Sequence, residues 1–391
     1  MRKILIIPSW YPTKESKLIG SFFEEQARFL CNHGFDIRVL YILQAKGKCP
    51  KHFFRNQLNN SFSIEKTDNN PVTIYVNQTV YNLVSLKEEI EALVNGYTIA
   101  WHNITDDGWI PDMIHAQSTL NAGIVASKLS KLFGIPYCIT EHIPLFFNNR
   151  STLLDTLIIQ SLENATKVGV VSYHLLRHIL MQDVKINSKI IWNFIDENRF
   201  VIKKKVQNRR FTIITIAYPA FIKDLITFFK AISHLYNSSS LCFDVFVVGN
   251  ETYSESESAS TLETEAIAQK FNVHDKCTFI PFVARSEIPS FLSSADVFIC
   301  SSISETFGIA IREALMCGVP VISTKNGGAE DIINYKNGFL VNLQDFESIA
   351  NHIIQLARKE ISFDAKVVRQ TAIEQSGREA FYKTMKEFYT S

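Results

Sequence analysis

The chain has 391 residues, 46% hydrophobic and 20% charged, and its 40 basic and 39 acidic residues give a formal charge of +1. That length exceeds one ordinary core and suits two domains of usual size, while the charge balance excludes recruitment of nucleic acid by a global basic field. No apolar run approaches the roughly 18 residues that a bilayer crossing needs, so any membrane contact is expected to be peripheral.

Arg2-Lys3 precede only Ile4 to Ile7 before Pro8, which is too short for the core of an export signal and reads as a first strand. Seven scattered cysteines (Cys31, Cys49, Cys138, Cys242, Cys277, Cys300, Cys317) form no Cys-x-x-Cys. An odd number inside apolar runs points to reduced, packed thiols and a cytoplasmic location. Ser21-Phe22-Phe23-Glu24 has the form of a capping box and predicts a helix running to about Gly34, followed by a strand from Asp36 to Leu43. A strand over Val72 to Val76, a helix over Lys87 to Val94, a strand over Met113 to Ala116 and a helix from about Ala122 to Phe133 come next. Further strands are expected over Tyr137 to Thr140, Lys167 to Val171 and Lys189 to Ile191. Strands separated by helices predict a mostly parallel α/β sheet covered on both faces.

The pattern breaks at Trp192 to Phe200 and at the charged run Lys203 to Arg210, where the interdomain linker is expected. A second alternation has strands at Phe211 to Ala217, Phe243 to Val248, Cys277 to Phe282, Val297 to Cys300 and Val319 to Ser323. Thr252 to Thr264 reads as a flexible loop leading into a helix, and the last helix is expected over about Gln375 to Tyr389. The expected division is 1–195 as an acceptor-side domain and 196–374 as a donor-side domain, with 375–391 packing back on the first.

Glu305 follows the strand ending at Cys300, in a loop at its carboxyl end, where open α/β sheets bind ligands. From Gly308 the spacing of Ile309, Arg312, Leu315 and Met316 predicts a helix stopped by Gly318 and Pro320. Its first amides, at Phe307, Gly308 and Ile309, suit a diphosphate. Glu313, one turn inside, suits a ribose diol, and Glu305 the hydroxyls of a sugar. Two glutamates at this spacing also occur on ordinary solvated helix faces.

The frame Ser-x-x-x-Glu305-Thr306-Phe307-Gly308-x-x-x-x-Glu313-Ala-x-x-x-Gly-x-Pro-Val-Ile, followed by Gly327-Gly328-x-Glu330-Asp331-Ile332, resembles the signature of retaining glycosyltransferases of the family-4 type. The resemblance implies the GT-B fold, two Rossmann-like domains facing across a cleft. It also implies transfer of a sugar from a uridine- or guanosine-diphosphate donor, with Glu305, Thr306, Phe307, Gly308, Ile309 and Glu313 on the donor. Lys223 matches the lysine that such enzymes set against the pyrophosphate. Tyr218, however, stands where the family usually has arginine, and Asp224 replaces the glycine after the lysine.

In the first half, Pro8 to Ser21 resembles the family's loop after the first strand, with Gly20 near the phosphates or sugar; a plain turn would read the same. His142 resembles the histidine that contacts the transferred sugar, and both His142 and His115 fall at predicted carboxyl strand edges, although structural histidines are the competing reading. With no Asp-x-Asp, and with Asp106-Asp107 lacking companions, neither a metal nor another cofactor is expected.

The expected activity is a retaining, metal-independent glycosyltransferase in bacterial surface polysaccharide or glycolipid assembly, with a glycan or lipid-linked glycan acceptor. Lys46, Lys48, Lys51, His52, Phe53, Phe54 and Arg55 suit a solvated loop first and anionic lipid headgroups second. Two competing readings are a GT-B pseudoenzyme serving as a partner subunit, which Tyr218 and Asp224 favour, and a nucleotide-sugar epimerase.

Overall fold

The computed structural model describes residues 1–17, 19–47, 60–67, 70–81, 85–145, 152–205, 209–249, 259–281 and 283–390. Residues 48–55 of the basic and aromatic stretch, most of the expected 252–264 loop and the end of the strand expected to reach Phe282 lie outside them. The chain divides into two compact units: Met1–Val171 with Leu175–Ile191 and Tyr382–Ser391, and Ser172–His174 with Trp192–Phe381.

The first unit is an eight-stranded sheet made of β1 (Arg2–Pro8), β2 (Phe35–Gly47), β3 (Asn60–Thr67), β4 (Val72–Tyr81), β5 (Met113–Gln117), β6 (Tyr137–Glu141), β7 (Lys167–Val170) and β8 (Ser188–Ile190). Its order is β3-β4-β2-β1-β5-β6-β7-β8, parallel throughout except where β3 meets β4. The apolar core of β1 and the whole of β5 and β6 are buried on both faces, as interior parallel strands require, the last two with His115, Gln117, Thr140 and Glu141 among their buried residues. The edge strand β3 is missed by periodicity, because only Phe62 and Ile64 are apolar in it and its pairing comes from β4.

The helices of this unit are α1 (Ser21–Cys31), α2 (Leu86–Thr105), α3 (Ile124–Phe133), α4 (Thr152–Glu163) and α5 (Tyr173–Leu180). The capping box expected at Ser21 does not form. Gly20, left-handed at φ 71°, is the N-cap, and Glu24 pairs instead with Arg28 at 2.6 Å. A full capping box closes α2, between Ser85 and Glu88, and that helix runs to Thr105, well past the expected Val94. Among the described residues no helix is long and apolar enough to cross a membrane.

The second unit is a six-stranded, all-parallel sheet in the order β11-β10-β9-β12-β13-β14. Its strands are β9 (Phe211–Ile216), β10 (Phe243–Val248), β11 (Cys277–Ile280), β12 (Val297–Cys300), β13 (Val321–Thr324) and β14 (Gly338–Val341), and its helices are α6 (Leu225–Ser238), α7 (Ala259–Lys270), α8 (Ile288–Ser294), α9 (Ile309–Met316), α10 (Phe346–Ala357) and α11 (Ala365–Ser376), while α12 (Arg378–Thr390) starts in this unit and from Tyr382 belongs to the first. Phe228, Phe229 and Ile353 belong to the buried cluster that packs α6 and α10 on the strands. The last helix begins at Arg378 rather than Gln375, because Gly377 breaks the chain after α11.

β9 has β10 on one side and β12 on the other, so the chain winds outward in opposite directions from the β9/β12 boundary. The loops leaving the carboxyl ends of two such strands diverge and leave a crevice, the usual ligand position in an open parallel sheet. In this unit those loops are 217–224 and 301–308.

Candidate functional site

Lys223 closes a single 3₁₀ turn, Phe221–Lys223, in the loop after β9. The loop after β12 is stitched to it: Ser301 Oγ donates to the Lys223 carbonyl at 3.1 Å, and the Ile303 N–H to the Ile222 carbonyl at 2.8 Å. Across this seam Lys223 Nζ donates to Glu305 Oε1 at 2.6 Å, and Ser302 Oγ donates to the same oxygen at 2.8 Å. The two side chains are 17% and 16% exposed. Burial pulls the Lys223 pKa down, but the Glu305 carboxylate outweighs it and holds the ammonium above its ordinary value.

Asp224 explains itself in this setting. It is left-handed, at φ 44° and ψ 53°, where glycine sits most easily and Asp is among the few tolerated substitutes. Its carboxylate then accepts from the Thr227 N–H at 3.2 Å and from Thr227 Oγ1 at 2.6 Å, capping α6. Tyr218 is half exposed, with its ring centroid 5.3 Å from the Lys223 ammonium.

Glu305 is also fixed by its backbone, which forms a parallel bridge to Gly327, and its N–H donates to the Asn326 carbonyl at 2.8 Å. Gly328 lies against this segment so tightly that a Cβ would come 2.9 Å from the Phe307 backbone and 3.0 Å from the Glu305 carbonyl. Beyond half-buried Thr306 and buried Phe307, Gly308 adopts φ 74° as the N-cap of α9. Among the described residues the amides of Phe307, Gly308 and Ile309 donate to no acceptor. A helix end of this kind, with an ammonium in the neighbouring loop, suits an anion.

Glu313 is buried on the second turn of α9, and its Oε1 lies 2.8 Å from Arg285 Nη1. Arg285 comes from the segment between β11 and α8, and its carbonyl accepts from Arg199 at 3.2 Å. The two glutamates therefore have different cations, Lys223 for Glu305 and Arg285 for Glu313. Sequence reasoning missed Arg285, since nothing in its local pattern distinguishes it from a solvated arginine.

In the first unit, Gly20 is required by the fold itself: beyond its left-handed φ, a Cβ would lie 2.5 Å from the Trp10 carbonyl. His142 is buried, with Nε2 2.8 Å from Gln117 Oε1, which makes Nε2 the protonated nitrogen, and with Nδ1 unpartnered among the described residues. Burial, and then the proximity of His115, pushes its pKa down to about 3, so the ring is neutral. The preceding Glu141 is fully buried and accepts the amides of Thr119, His142 and Ile143, anchoring the segments after β5 and β6. His115 does not project from a strand edge as expected. It is buried between Tyr389 Oη at 2.7 Å and Thr140 Oγ1 at 2.8 Å, a satisfied core histidine. Among the described residues no three His, Cys, Asp or Glu side chains are grouped to hold a metal ion.

Residues 196–375 match the family described as glycosyl transferases group 1. The matched stretch falls within the second unit. Lys223, Arg285, Glu305 and Glu313 all lie inside that stretch, whereas Gly20 and His142 lie before it. Sucrose-phosphate synthase 4 of Arabidopsis thaliana is 27% identical over 154 residues, covering 37% of this chain and 15% of the plant protein. The chain thus spans only a small part of that relative's length. Among solved structures, sucrose-phosphate synthase from Thermosynechococcus elongatus aligns over 100% of this chain and 98% of its own, with a TM-score of 0.73 at 18% identity. Anabaena HepE, solved with UDP and glucose, aligns over 100% of both chains with a TM-score of 0.73 at 16% identity. At these identities the likeness establishes the fold: two parallel-sheet α/β units of the GT-B kind.

Proposed function

We propose that the protein is a retaining, metal-independent glycosyltransferase of the family-4 type, moving a sugar from a nucleoside diphosphate to a hydroxyl of a glycan or lipid-linked glycan. The observation that carries this reading is the Lys223–Glu305 pair at the strand-order reversal, beside the open amide end of α9. In this reading the diphosphate lies on the amides of Thr306 to Ile309, and Lys223 offsets the charge that builds on it as the sugar departs, the largest electrostatic demand of the reaction. Glu305 orients the sugar hydroxyls and Glu313 the ribose. The departing phosphate oxygen takes the acceptor proton on the same face, so configuration is kept.

His142 is assigned to the transferred sugar. Its neutral ring supports this, because Nδ1 is an unused acceptor for one hydroxyl. Gly20 remains a proposed neighbour of the donor. The uridine or guanosine identity of the donor rests on analogy, and HepE with UDP and glucose favours uridine. By the same analogy the work is bacterial surface-glycan assembly at the cytoplasmic face of the membrane.

The partner-subunit reading loses one of its two supports, since Asp224 reproduces the backbone conformation of a glycine and adds a helix cap. The test is a thermal-shift panel of UDP, GDP and ADP: a ligand at about 100 times its dissociation constant stabilises by roughly 2.7 kcal/mol. One diphosphate should raise the melting temperature of the wild type, and Lys223→Met should abolish that rise. Indifference to all three, with no hydrolysis of their glucose conjugates, would leave only the scaffold.

A further inference from the structure

Arg312 has a role that no motif assigned. It is 0% exposed and is the largest fully buried side chain among the described residues. Nη1 donates to the Phe307 carbonyl, and to the Gly328 carbonyl at 3.3 Å. Nε donates to Gln375 Oε1 at 2.8 Å, and Gln375 is itself anchored on the Asp331 carbonyl at 3.0 Å. The guanidinium lies 3.8 Å from the Phe307 ring centroid, and its Nη2 has no partner among the described residues. A buried cation whose hydrogen bonds go to neutral groups is costly, so its position calls for a compensating task.

We infer that Arg312 is a positioning residue for the donor diphosphate: by gripping the Phe307 carbonyl it turns the Gly308 N–H outward onto the anion. The geometry is that of one peptide unit. In a trans peptide the C=O and the following N–H point in opposite directions, so a carbonyl held by the guanidinium leaves the Gly308 amide facing away from it. That amide has no acceptor among the described residues. The same guanidinium holds the Gly328 carbonyl, tying down the second segment that backs Glu305. The charge also polarises the peptide and adds a positive potential one peptide's width behind the anion.

The inference rests on the reading of α9 as the diphosphate site, and the experiment separates the two. Calorimetric titration of the full chain with UDP and with uridine is compared for wild type, Arg312→Gln and Arg312→Lys. Arg312→Gln should weaken UDP at least about tenfold, since one charge a few ångströms away at a protein's effective dielectric is worth more than that, and leave uridine unchanged. Arg312→Lys, which keeps the charge but reaches fewer carbonyls, should fall between. If UDP and uridine weaken together, or neither weakens, Arg312 is merely structural and the inference fails. Should Arg312→Gln not fold by circular dichroism, an unchanged UDP-to-uridine ratio in Arg312→Lys overturns it equally. A wild type that does not prefer UDP to uridine sinks the diphosphate reading itself.

Discussion

Replacing Asp224 tests whether its departure from glycine damages the site or is absorbed by the fold. Asp224→Ala removes the acceptor for the Thr227 amide, worth about 1 kcal/mol at a helix N-cap. It also strands the Thr227 hydroxyl, which is on a 3%-exposed residue, at a further cost of roughly 1 kcal/mol. Alanine tolerates the φ of 44° less well than aspartate, which adds a cost on the order of 0.5–1 kcal/mol. The sum is about 2.5–3 kcal/mol. Asp224→Gly suffers the same hydroxyl loss but relieves the backbone, and a glycine N-cap costs only a few tenths, so roughly 1–1.5 kcal/mol is expected once unfolded-chain entropy is included. Asp224→Asn keeps one acceptor and the conformation and should cost under about 1 kcal/mol. Native-state hydrogen exchange at the α6 amides Phe228 to Leu235 reads these differences within the second unit, without assuming that the whole chain unfolds in one step. The order should be asparagine, glycine, alanine, with UDP affinity of the glycine variant within about twofold of wild type. Alanine proving no worse than glycine would refute the backbone argument, and a large loss of UDP affinity in the glycine variant would show that Asp224 itself serves the ligand.

Four other outcomes follow from the same contacts. In a double-mutant cycle, Lys223→Met and Glu305→Gln should each destabilise the second unit and couple by about 1–2 kcal/mol, since removing one partner leaves the other poorly solvated; additivity would mean the ion pair is not formed in solution. Because the Lys223 pKa is raised in the folded state, its contribution is whole below the unfolded value of about 10.4 and drains as pH rises through the folded value, so second-unit stability should fall on that alkaline limb and Lys223→Met should flatten it. His142 and His115 are both pushed down to about 3, so their contribution is whole above the unfolded value near 6.5 and is lost as pH falls towards 3; exchange in the first unit should accelerate over that range, and the His142 ring carbons should show no titration near pH 6.5. Gly328→Ala, whose Cβ would meet Phe307 and Glu305 backbone at 2.9–3.0 Å, should cost about 2 kcal/mol or more and abolish UDP binding; normal binding would show that the two loops part freely.

Much of this architecture was legible in the residues alone, because parallel strands buried on both faces are continuous apolar runs that stand out against helices of period 3.6. The α9 start at Gly308 was legible too, since a glycine before an amphipathic run and a Gly-x-Pro after it are local signals. β3 and β14 were not, because one is mostly polar and the other is a four-residue strand opened by Gly338, whose missing Cβ makes room for the Val321 carbonyl. The misplaced capping box has a similar cause: Ser21-x-x-Glu24 satisfies the pattern, but the left-handed Gly20 had already turned the chain.

By itself, the sequence determined which residue types stand at the ends of which strands, and hence that a loop bearing Glu305 and a helix bearing Glu313 lie close in chain order. Tertiary structure alone decided their partners. Lys223 meets Glu305 across 82 positions because β9 and β12 are neighbours in the sheet, an adjacency set by strand order rather than by local pattern. Arg285 reaches Glu313, and Arg312 turns inward onto carbonyls, for the same reason: a charge chooses its partner by distance and burial, and both quantities exist only after the chain has folded.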